Sequence, residues 1–133
     1  MNKIILGVLL FTSLCFCQQT EKVDFLQLDA EVKIDTTAFT IEGHLQVEFK
    51  ALQNIDSVYL DAVNMSITPS ANSPYKIVEN NDKIWITSNF KKGKTYTAEF
   101  SYECQPQQTL YFVGFNSSLK DYPSQVWTQG QGK

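Results

Sequence analysis

Six side chains near the end of the sequence are of the kind that hold a ligand: Tyr111, Phe112, Phe115, Trp127, Gln129 and Gln131. Aromatic rings beside amides are how many β-rich modules hold sugars or peptides. The ring gives an apolar platform, and the amide gives donors and an acceptor. The same residues equally read as a hydrophobic seam awaiting a second domain. Gln129 and Gln131 stand two apart, so on an extended segment both amides project to one side. The other residue with chemistry to offer is His44, the single histidine, which shares the polar phase of a strand with Glu42 and Gln46. One imidazole and one carboxylate fall short of the four ligands a closed zinc site takes, so His44 reads as part of a solvated face.

Composition narrows the function classes. The chain has 133 residues, 43% of them hydrophobic and 19% charged, which makes one domain with enough apolar surface for its own core. Fourteen acids face eleven bases, giving a net charge of -3, and every base is a lysine. That balance argues against nucleic acid as a partner, which calls for Lys and Arg clustered on one face. One histidine, and no cysteine pair beyond residue 17, rule out most self-contained metal sites and catalytic triads.

Residues 1–17 read as a cleaved signal peptide: a charged start at Lys3, a short apolar run over 4–11, and small Cys15 and Cys17 before Gln18. The stretch is too short to span a bilayer, which takes about 20 apolar residues. Lipid attachment through Cys15 or Cys17 is the weaker alternative, because Leu14 and Phe16 stand where a small residue is wanted. The expected location is the periplasm or the exterior, with envelope association if the lipid reading holds. Residues 18–22 are a short polar lead-in. Beyond the leader Cys104 is the only cysteine, so no intrachain disulfide can form.

The elements that must position the candidate residues are strands. Residues 26–34 alternate strictly, with Leu26, Leu28, Ala30, Val32 and Ile34 on one face. Turn chemistry at residues 35–38 leads to a second alternating run from Phe39 to Phe49, so the two form an antiparallel hairpin. Gly43 falls on the apolar phase of that run and implies a bulge or a close backbone approach. Shorter strands follow around Tyr59, Ile67, Val78 and Trp85, and a longer one carries Tyr96, Ala98, Phe100, Tyr102 and Cys104 inward. The expected fold is all-β, a saddle-like antiparallel β-sandwich. Its expected interior includes Leu28, Val32, Ile41, Leu45, Val47, Phe100 and Tyr102, with Cys104 as a buried small hydrophobe.

Several stretches together resemble a family. Leu110-Tyr111-Phe112-Val113-Gly114 and, after a loop, Gln125-Val126-Trp127-Thr128-Gln129-Gly130-Gln131 are similar to the end of the N-terminal domain of the aminopeptidase N and leukotriene hydrolase family of zinc metallopeptidases. The opening strands, Ile41-Glu42-Gly43 and Val47-Glu48-Phe49-Lys50 agree with that family's first hairpin, and the likeness covers residues 23–133. The resemblance implies a β domain that packs on a catalytic domain in cis and walls the cleft for peptides with a free N-terminus. It implies that Gln129 lines the pocket for the substrate's first side chain and that Gln131 binds the α-amine. Many members carry Glu at the second position, so Gln131 is a neutral variant. The zinc ligands, the general base and the exopeptidase motif have no counterpart here. In the family the zinc is bound by the catalytic domain, and this domain is expected to be incomplete at its C-terminal end. The alternative is a stand-alone secreted module that binds glycan or peptide through Tyr111, Phe112 and Trp127.

Overall fold

The computed structural model describes residues 19–107, 110–115 and 123–128; the leader assigned to residues 1–17 lies outside them. Nine strands are formed among these residues: β1 (Val23–Asp35), β2 (Thr40–Ala51), β3 (Ile55–Asp61), β4 (Met65–Pro69), β5 (Lys76–Glu79), β6 (Lys83–Phe90), β7 (Thr95–Cys104), β8 (Leu110–Val113) and β9 (Gln125–Thr128). A single 3₁₀ turn, Gln19–Glu21, precedes them. The strands make a four-stranded sheet in the order β1-β2-β7-β4, a three-stranded sheet β3-β6-β5, and a separate ribbon β8-β9. All pairings are antiparallel, so the all-β sandwich expected from the alternation is the fold observed.

Local chemistry sets the hairpins. The Asp35 carboxylate accepts hydrogen bonds from the backbone N–H of Thr37 at 2.7 Å and of Ala38 at 2.9 Å. These bonds close the β1–β2 turn and hold the Asp35 carboxyl below its ordinary pKa. Between β5 and β6 the two-residue loop Asn81-Asp82 has φ of 53° and 56°, the left-handed pair that matches strand twist in tight hairpins. Successive strands β3 and β4 do not pair with each other: β3 joins β6 and β4 joins β7, so the chain crosses from one sheet to the other between them.

The core lies between the two larger sheets. Val47, Phe49, Ala98 and Phe100 from one meet Val58, Ile77, Ile84, Ile86 and Phe90 from the other, all buried. Phe49 and Phe90 pack edge to face with ring centroids 5.2 Å apart, and Tyr96 closes on Phe90 at 4.8 Å. Val47 and Phe100 are therefore inside as expected, while Ile41, Leu45 and Tyr102 are half-buried.

Leu28 and Val32 correct the expectation, since they are 57% and 56% exposed. They do point to the apolar face, in register with Val47 and Gly43. The second sheet covers the first around Val23, Phe49 and Phe100 and leaves the rest of β1, from Leu28 to Ile34, beyond its reach. A bulge between Phe25 and Gln27 adds a second correction: Leu26 is the extra residue, so it does not continue the Leu28 phase. Cys104 keeps the inward register, opposite Ile41 and Met65, but its burial is partial. That burial, followed by the charge of Glu103, pushes its thiol pKa up. Gly43 marks a close approach and not a bulge: a Cβ there would lie 2.2 Å from the Glu31 carbonyl oxygen and 2.6 Å from the Tyr102 ring.

Candidate functional site

The β8–β9 ribbon carries the aromatic candidates. Its register sets Tyr111 opposite Trp127, Phe112 opposite Val126 and Val113 opposite Gln125. Alternation then divides them between two faces. Leu110, Phe112 and Val126 are half-buried, whereas Tyr111, Val113 and Trp127 are exposed. On the outer face the Tyr111 and Trp127 rings stack, with centroids 4.5 Å apart and planes 22° from parallel. On the inner face Phe112 meets Phe39 edge-on at 5.3 Å, and Phe115 sits 6.2 Å from both rings.

Phe39 ties this ribbon to the first hairpin. It is the last residue of the β1–β2 turn and has φ of 57°, a left-handed conformation that a bulky side chain rarely adopts. Gly114, with φ of 83°, turns the chain after β8, and a Cβ there would press on the Pro123 carbonyl oxygen at 3.1 Å. The Ser124 hydroxyl donates to the Gly114 carbonyl at 3.2 Å and holds the two ends of the ribbon together.

Of the six sequence candidates, the structure brings together Tyr111, Phe112, Phe115 and Trp127 and sorts them into an outward pair and an inward pair. Gln129 and Gln131 lie outside the described residues. The sequence reading missed the pairing of β8 with β9. Each is only four residues long, and the unbroken apolar run over residues 110–113 hides the alternation that betrays a strand.

A second constellation emerges only in the sheet. On the polar face of the four-stranded sheet Glu31, His44, Ser101 and Thr68 line up across β1, β2, β7 and β4. Lys33, Glu42, Glu103 and Ser66 form the next row, with Lys33 Nζ 3.1 Å from Glu42 Oε2. Carboxylate, imidazole and hydroxyl in sequence are the residue types of nucleophilic hydrolysis, and His44 Nδ1 stands 3.5 Å from Ser101 Oγ. The surroundings do not support that chemistry. β7 is paired on both sides at Ser101, so its backbone N–H groups serve the ladders and offer no oxyanion site. Among the described residues no three His, Cys, Asp or Glu side chains gather to hold a metal ion. Both rows line an open concavity of about 610 Å³.

No protein-family model matches this chain, and no curated protein does. Among solved structures it is similar to a two-domain M1 zinc metallopeptidase, crystallised as a mutant bound to L-tryptophan. The TM-score is 0.58 and the identity 14%, over 66% of this chain and 22% of that one. The two share a fold. This chain thus spans about a fifth of the length of the metallopeptidase it matches.

Proposed function

We propose that this chain forms the N-terminal, cleft-lining β domain of an exported zinc aminopeptidase that removes N-terminal amino acids from peptides. The observation that carries the reading is a coincidence of two independent likenesses. The fold is that of part of a zinc metallopeptidase, and β9 ends on Trp127-Thr128 directly before Gln129-Gly130-Gln131, the segment of the sequence resemblance. In this reading Gln129 lines the pocket for the first side chain, and the Gln131 amide oxygen accepts a hydrogen bond from the substrate ammonium. Such a charge-assisted bond contributes about 1.5–3 kcal/mol when shielded from water. The described residues do not fit a zinc centre, since no three suitable ligands gather among them. In this reading the zinc and the general base belong to a catalytic domain in cis.

The chain alone is expected to hydrolyse nothing. In the intact enzyme Gln131→Ala should lower kcat/KM by about tenfold to a hundredfold on substrates with a free amine. Substrates with an acetylated amine should be little affected. Steady-state kinetics with the two substrate types is the test, and an unchanged rate and amine preference would reject the assignment. The exposed Tyr111–Trp127 stack favours a second reading, a separate glycan- or peptide-binding module. A stop codon directly after Lys133, with saturable glycan binding lost in Trp127→Ala, would replace the first reading by the second.

A further inference from the structure

Phe39 stands where the backbone would accept glycine or asparagine more readily. The β1–β2 turn covers residues 36–39, between the paired Asp35 and Thr40, and its last residue has φ of 57°. That left-handed conformation is open to glycine and disfavours a bulky side chain. Among the described residues the other non-glycine positions with positive φ are Asn64, Asn81 and Asp82, short polar types that tolerate it. A phenylalanine keeps such a conformation only when its surroundings hold it there. Here the surroundings are aromatic. The Phe39 ring meets Phe112 edge-on at 5.3 Å and Phe115 at 6.2 Å, and all three side chains are half-buried.

The ribbon on the other side of that contact needs an anchor. β8 and β9 pair with each other and with neither larger sheet. Two short strands on their own are marginally stable in water. Among the described residues, the ring contacts that join the ribbon to the first hairpin run through Phe39. Phe112 lies opposite Val126, and Gln129 follows Val126 by three positions in the sequence. The place of the Phe112 ring therefore sets where β9 runs and where the chain enters residues 129–131. Such placement matters to a reaction, since a displacement of about 1 Å caused from far away can lower a rate about a hundredfold.

We infer that Phe39 is a positioning residue of the proposed aminopeptidase: its ring, set against Phe112 and Phe115, fixes the β8–β9 ribbon and with it the start of the segment that carries Gln129 and Gln131. The inference rests on the reading of those two residues as substrate-binding, and Phe39 itself touches no substrate in it. A hydrophobic plug in the turn would serve folding alone, so stability and amine recognition separate the two roles.

Phe39→Gly removes the ring and suits the left-handed backbone, so the urea midpoint of the 133-residue chain should hardly move. Amide exchange should quicken about tenfold in β8 and β9 and stay unchanged in β2 and β7. Phe112→Ala breaks the same contact from the ribbon side, without touching the turn, and should quicken β8 and β9 alike. Phe39→Tyr keeps the ring and should match the wild type. In the longer enzyme Phe39→Gly should lower kcat/KM about tenfold and narrow the preference for a free over an acetylated amine. Combined with Gln131→Ala, it should lower kcat/KM by less than the product of the single effects, because both act through one contact. Unchanged exchange in β8 and β9 in both contact-breaking variants would overturn the anchor. A loosened ribbon with an unchanged amine preference, or with effects of Phe39→Gly and Gln131→Ala that simply multiply, would overturn the positioning role. If Gln131→Ala alone changes nothing, the substrate-binding reading falls and takes that role with it, and the exchange rates of β8 and β9 tell this failure from failure of the anchor.

Discussion

The hairpin of β1 and β2 alternates along its length apart from the bulge at Leu26, yet its two ends live in different surroundings. At the open end Val23, Phe49 and Ala51 are buried. Near the turn Val32 and Ile34, on the same face of the same pleat, are 56% and 43% exposed. What differs is the second layer. β3, β6 and β5 bring Val58, Ile84, Ile86 and Phe90 onto the first end, whereas at the second the ribbon's Phe112 and Phe115 meet only Phe39 of the turn and leave Val32 and Ile34 exposed. Alternation reports which way a side chain points, and burial depends on what another part of the chain lays over it.

The largest effects should therefore separate the two ends. Phe49→Ala removes a fully buried ring that touches Phe90 and Tyr96, and should cost about 3–5 kcal/mol. Val32→Ala, at the uncovered end, should cost less than about 1 kcal/mol. Urea unfolding of the two variants beside the wild type measures both. Equal losses would mean that the turn end is covered after all and would dissolve the contrast.

Gly43 lies at the boundary between the ends and sharpens the comparison. Its missing Cβ leaves room for the Tyr102 ring and the Glu31 carbonyl, both closer than 3 Å to where that carbon would sit. Gly43→Ala should cost about 1–3 kcal/mol through overpacking. Adding Tyr102→Leu should restore only part of it, because the backbone oxygen of Glu31 stays in place. A neutral Gly43→Ala would show that the hairpin tip yields freely and is not anchored to β7.

How much of this was legible follows from the same distinction. Strands β1 to β7, the first hairpin and its turn at residues 35–38 were readable because each rests on local chemistry: a period of two, and residues of turn type. The close approach at Gly43 was readable for a similar reason, since a glycine on an apolar phase needs an explanation. The exposure of Leu28 and Val32 was not, because it depends on where a distant three-stranded sheet stops. Nor was the Glu31–His44–Ser101 row, which gathers residues 57 positions apart in sequence between its second and third members. The bulge at Leu26 escaped because all of Phe25, Leu26 and Leu28 are apolar, so an inserted residue leaves no polar mark on the pattern. As for the site, Tyr111 and Trp127 were visible as residue types, but their stacking is a product of the β8–β9 register.

The smallest expected effect lies at the turn of the uncovered end, where local hydrogen bonds hold the hairpin. The Asp35 carboxylate accepts from the backbone N–H of Ala38 and of Thr37, and these bonds lower its pKa below the usual carboxylate value. A carboxyl whose pKa is lower folded than unfolded stabilises the fold fully at pH values above its unfolded pKa, about 3.9. The contribution fades as pH falls below that value and through the folded pKa, where both states hold the proton. Asp35→Asn keeps an oxygen that can accept the same bonds but cannot titrate. Its urea midpoint should therefore lie slightly below that of the wild type at neutral pH, and the two curves should converge over the acid interval below about pH 4. The shift should be small, because Asp35 is only partly shielded from solvent. Midpoints that run parallel over that interval would show that the turn is set by the backbone conformation leading to Phe39, with the Asp35 charge contributing nothing to the exposed end of the hairpin.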